Sequence, residues 1–93
     1  MVRDWHELRE DSRRLSVEIL QTDVDLALTF ARSALIHSTP EAAHRSVRHA
    51  RRAYDYIVQR RTQVDMTNAD ARELDEKIAI LRKRLQELGE KFS

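Results

Sequence analysis

Toward the C-terminus, Ala71, Leu74, Ile78, Leu81, Leu85 and Leu88 recur at alternating spacings of three and four. That rhythm lays them along one side of an α-helix as a narrow seam of the coiled-coil kind. The other positions are charged. Glu73 and Lys77, and Lys83 and Glu87, sit one turn apart, where opposite charges support a helix. A second seam, Ala43, Val47, Ala50, Tyr54, Ile57, Arg61 and Val64, keeps the same rhythm. Arg61 alone breaks it, near the helix end, where its stem can pack while the head group reaches water.

The first third of the chain is different. Val17, Leu20, Val24, Ala27, Leu28, Ala31, Ala34 and Leu35 make one apolar face. Trp5, Leu8, Leu15, Ile19, Leu26 and Phe30 make a second stripe beside it. Together the two cover more than half of a helix circumference.

Local chemistry places the boundaries. In "HSTPEAAH", Thr39 can cap a helix, Pro40 suits its first position and Glu41 the positive end of its dipole. His37 suits the end of the helix before it. Thr67 with Asp70 resembles a capping box with Asp in place of Glu, and Asn68 is an alternative cap. Gly89 after Leu88 reads as a stop. Helices are predicted over about 4–37, 40–64 and 68–89. The single glycine and single proline agree, because sheet proteins need many turns built from those residues.

Short connections force neighbouring helices to run in opposite directions. The predicted fold is therefore all-α, an antiparallel up-down-up three-helix bundle in one domain over 1–93, with a long first helix. Ala27, Ala31 and Ala34 would let the second helix approach closely, opposite Ala43, Ala50 and Ala53. At 1.5 Å per residue the first helix would run about 50 Å and the second about 37 Å. If the turn aligns them, Leu15 sits near Gln63, and residues before about 12 lie beyond the second helix. Trp5 and Leu8 carry the apolar stripe into that overhang. An apolar stripe past the end of its own bundle needs another surface: a second copy, another protein, or a fold-back at Asp11–Ser12.

Charge narrows the partner classes. The net charge of +1 predicts no polyanion partner by itself. Its distribution is uneven. Residues 39–64 carry six bases and two acids, while 1–38 carry five and seven and 65–93 carry six and seven. In the basic stretch "HRSVRHARRAYDYIVQRR", Arg45, Arg48 and Arg52 line up opposite the Val47–Ile57 seam. Such a row can follow phosphates, and Tyr56 beside it can stack on a base. Against this, Glu41 can pair with Arg45, Asp55 with Arg51 or Arg52, and Asp23, Asp75 and Glu76 lie about level with the same turns. Asp23 falls inside the apolar arc of the first helix. It needs a partner there, and an arginine or Tyr54 of the second helix is expected to supply one.

No sequence motif points to catalysis. There is no glycine-rich phosphate loop, nucleophile elbow or His-Glu-x-x-His run. His44 and His49 are five apart and diverge on a helix, so they cannot share a metal ion. His37 and His44 flank a turn and are expected to be a dipole partner and a surface residue. Asp23 and Asp25 diverge likewise. The chain is thus expected to be no enzyme and to have no metal, cofactor or small-molecule substrate. No apolar run approaches the roughly 18 residues of a membrane span. The charged start "MVRDWHELRED" is unlike a secretory signal, and with no cysteine present a cytoplasmic location is expected. These readings converge on a helical interaction or assembly module. It is expected to self-associate, or to bind a helical protein partner, through Trp5, Leu8, Leu15, Ile19, Leu26 and Phe30. The alternative is nucleic-acid or anion binding through Arg45, Arg48, Arg52 and Tyr56.

Overall fold

A computed structural model describes residues 5–36 and 39–92, with Trp5, His6 and Glu10 described in their backbone only. All regular structure among them is helical: α1 (Trp5–Ile36), α2 (Pro40–Arg61) and α3 (Asn68–Glu87). The caps are those the local chemistry demands. Thr39 accepts a hydrogen bond from the Ala42 amide at 3.2 Å through its hydroxyl, with Pro40 at the first helical position. Thr67 accepts from the Asp70 amide at 3.1 Å. Past α3, Gly89 takes φ +98°, and the Glu90 amide returns to the Leu85 carbonyl at 2.9 Å. A side chain is disfavoured at that φ, so glycine is the natural stop.

α2 ends three residues earlier than the predicted 64. Thr62 turns its hydroxyl back to the Gln59 carbonyl at 2.8 Å, and the Gln63 amide bonds the Arg60 carbonyl at 2.9 Å. The side chain competes for backbone groups and closes the helix. Val64 still packs on the core from the turn beyond it.

The core joins Leu20, Val24, Ala27 and Ala31 of α1 with Ala50, Tyr54 and Ile57 of α2 and Leu74, Leu81 and Leu85 of α3. The alanines on both sides let α1 and α2 come close, and theirs is the most extensive contact of the three pairs. Arg13 meets Asp65 and Phe30 meets His49, so α1 and α2 run in opposite senses. Arg61 meets Asp75 and Arg51 meets Glu90, so α2 and α3 do as well. Asp25 bonds Lys77 at 3.0 Å and ties α1 to α3.

Two assignments on α1 change. Leu35, assigned to the core face, is 67% exposed. Phe30, assigned to the outer stripe, is half-buried against the core, and its ring stacks on His49 with centroids 5.2 Å apart. Arg61 packs its stem and keeps a partly exposed head group as expected, and its Nε and Nη2 also donate to both oxygens of Asp75 at 2.9 and 3.2 Å.

The tail after α3 adds a feature that periodicity does not show. Phe92 meets Tyr54 edge-on at 4.9 Å, with the Arg51 guanidinium 4.0 Å from its ring centre. Arg51 also donates to the Lys91 carbonyl at 2.8 Å and pairs with Asp55 and Glu90. The tail is thereby folded back over α2, and Arg51 is taken up in holding it.

Gln21, half-buried between α1 and α3, is a weak point. Both polar atoms of its amide are shielded from solvent and have no hydrogen-bond partner among the described residues. Leaving such a group unpaired costs about 1–3 kcal/mol. Gln21→Met, of similar size, is expected to raise the thermal midpoint. At roughly 4–8 °C per kcal/mol for a domain of this length, a rise of about 5 °C is the expected reading in a calorimetric scan. An unchanged or lower midpoint would show that the amide is satisfied in solution.

Candidate interaction surface

α1 is a continuous helix through residues 5–36, so its N-terminal turns do not fold back at Asp11–Ser12. Its 32 residues run about 48 Å, against about 33 Å for the 22 of α2. The Arg13–Asp65 pair and the start of α3 at Asn68 mark where the bundle ends beside it. Trp5 to Leu8 lie further along the axis. Trp5 is in helical backbone, and its side chain lies outside the described residues, as does His37.

On the outer face of α1 the stripe is open. Leu8, Leu15, Ile19 and Leu26 are 43, 57, 48 and 53% exposed. They follow one another at seven, four and seven residues, so they form one line down the helix. α2 and α3 dock on the opposite arc, where the alanines permit close approach, and the aliphatic line is left over. Phe30 is not part of the open line, because α2 covers it through His49.

The basic face of α2 also takes clear form. Arg45, Arg48 and Arg52 are exposed and, with His49, line one shallow depression. Of the i,i+4 pairs expected on α2, only Arg51–Asp55 forms, and it leaves this row without a partner among the described residues. Glu41 does not bond Arg45. Asp55 is taken by Arg51, and Asp75 by Arg61. Among the described residues the three arginines have no ion-pair partner. Tyr56 stands half exposed on the same side. Among the described residues the half-buried Asp23 finds neither an arginine nor Tyr54, whose ring faces Phe92 instead.

Among the described residues, no three His, Asp or Glu side chains converge as metal ligands. Among the described residues, no helix is long and apolar enough to cross a membrane. Among the described residues the structure thus defines an all-α arrangement of three helices, with an exposed aliphatic line on the longest and a row of arginines without ion-pair partners on the next. No family model matches the chain, and none of the curated proteins or solved structures matches it.

Proposed function

We propose that this chain is a small non-catalytic, cytoplasmic assembly module that self-associates through the outer face of α1. The observation that carries this reading is the line Leu8, Leu15, Ile19, Leu26, four large aliphatic side chains about half exposed in a single row. Scattered exposed leucines are ordinary on any surface, but a contiguous apolar line marks a docking face. Leu8 carries the line past the Arg13–Asp65 pair that marks the end of the bundle, where a second copy can cover it. Light scattering after gel filtration tests the reading. A mass at least twice 11.0 kDa at tens of micromolar is expected. A monomer across that range would remove self-association.

A second reading has its own observation. Arg45, Arg48 and Arg52 lack ion-pair partners among the described residues, and they share a depression with His49. Three guanidinium groups a turn apart suit phosphates, with Tyr56 placed to stack on a base. Titration against single-stranded and duplex nucleic acid decides between the readings. If phosphates are held, affinity falls steeply as salt rises, and Arg48→Glu with Arg52→Glu abolishes binding. No binding at low salt would end this reading.

A further inference from the structure

The line on α1 has a regular heptad character. Leu8, Leu15 and Thr22 occupy d positions, and Ser12, Ile19 and Leu26 occupy a positions of one repeat. It is bordered differently on its two sides. On one side Asp11, Glu18 and Asp25 stand at g positions. The groove there, between α1 and α3, holds Glu18, Asp25, Asp70 and Glu73 against Arg14 and Lys77, and Lys77 is already bonded to Asp25. That border is net acidic.

The other border is α2. Arg60 lines a depression with Ser16 of α1, and His49 touches Phe30. Between those points Tyr56 follows on the α2 surface, and Arg52 lines the depression beside His49. The contacts of Phe30 with His49 and of Arg13 with Asp65 set the alignment. In it Arg52 falls level with Leu26, and Arg60 with Ile19. Asp23 lies on this side between the two arginines, and the edge remains net basic.

Two copies of α1 can meet along the line in two ways. With the two-fold axis across the helices, the chains run antiparallel and each border faces its own copy, acids against acids and arginines against arginines. With the axis along the helices, each acidic border faces the basic border of the other copy. Complementary potentials decide register and orientation in such contacts.

Resting on the self-association reading above, we propose that two copies pair through the α1 line in parallel and in register. Glu18 and Asp25 of each copy then face Arg60 and Arg52 of the other. The heptad line supplies the contact, and the unlike borders choose its direction.

Disulfide trapping tests this, because the chain has no cysteine of its own. Ser12 and Thr22 are both exposed, so Ser12→Cys and Thr22→Cys leave the core intact. The two variants, carrying tags of different mass, are mixed and oxidised mildly. A parallel, in-register dimer links Cys at 22 to Cys at 22 and Cys at 12 to Cys at 12. An antiparallel dimer that matches Ile19 with Leu15 and Leu26 with Leu8 links 12 to 22 only. That result would overturn the orientation while leaving self-association standing. A dimer with no link of either kind would overturn α1 as the surface. A monomer in light scattering with no link would overturn both readings.

Charge exchange gives an independent readout. Glu18→Arg and Arg60→Glu are each expected to raise the dimer dissociation constant about tenfold, equivalent to about 1.4 kcal/mol. Combined in one chain they restore it in the parallel arrangement, because each new charge meets the other across the dyad. A combination no tighter than the weaker single variant would overturn the parallel pairing.

Discussion

A chain carrying Leu15→Glu and Ile19→Glu is expected to stay folded and to lose self-association. Both side chains are about half exposed and lie opposite the core of α1. Substitution there removes nothing from the interior, and surface changes of this kind usually alter stability by less than about 0.5 kcal/mol. In the paired state the same positions become the centre of the contact. Fully burying a leucine or isoleucine contributes about 1.5–3 kcal/mol. The substituted chain forfeits that on both copies and sets glutamates against each other beside Glu18. A rise of at least 100-fold in the dissociation constant is expected, from about 2.8 kcal/mol at 1.4 kcal/mol per tenfold. Sedimentation at several concentrations reads the association, and circular dichroism melts read the fold. An unchanged mass distribution would exclude this face as the contact.

The second large effect separates two leucines that look alike in sequence. Leu81 is fully buried among the core residues, whereas Leu26 is 53% exposed. Leu81→Ala is expected to cost about 2–5 kcal/mol, the removed methyl groups plus the cavity left behind. The whole stability of a domain this size is about 5–15 kcal/mol. At roughly 4–8 °C per kcal/mol, the midpoint should fall by at least about 8 °C. Leu26→Ala should leave the midpoint of the monomer almost unchanged, since alanine is also the better helix former. In a self-associating chain its effect should appear only at concentrations where dimer forms. Thermal melts of both variants at two concentrations check the pair. Equal losses at both sites would mean that the outer line is covered within the monomer.

The arginine row shows how far one-dimensional reading of charge extends. Helical spacing put Glu41 beside Arg45 and Asp55 beside Arg51 or Arg52, and only the Arg51–Asp55 pair forms. Exposed pairs at that spacing contribute a few tenths of a kcal/mol. Small geometric differences are enough to choose between them. Arg51 took Asp55 because the returning tail also supplies Glu90, the Lys91 carbonyl and the Phe92 ring. Those partners are distant in sequence, and no periodicity announces them. The outcome left Arg45, Arg48 and Arg52 more available to an anion than their neighbours in sequence suggested.

The stripe on α1 was legible as a surplus of apolar positions. Its edges were not. Phe30 and Leu35 both lie at margins of the apolar arc, and spacing alone assigned each to the wrong side. Phe30 is covered because His49 of α2 stands over it. Leu35 lies beside α3 near Ile80 and Leu88, in a groove that stays open, and remains exposed.

What the sequence by itself determined is local. Hydroxyl caps at Thr39 and Thr67, Pro40 at a helix start and the Gly89 stop act within a turn of chain, so their chemistry is complete in a few residues. The buried seams of α2 and α3 follow as well, because a helix with one apolar side has one way to turn. What only the tertiary structure decided is which of two apolar arcs on α1 would be covered. That choice lies in the close approach that Ala27, Ala31 and Ala50 allow, an energy shared between helices and belonging to neither alone. It buried Val24 and left Leu15 facing outward.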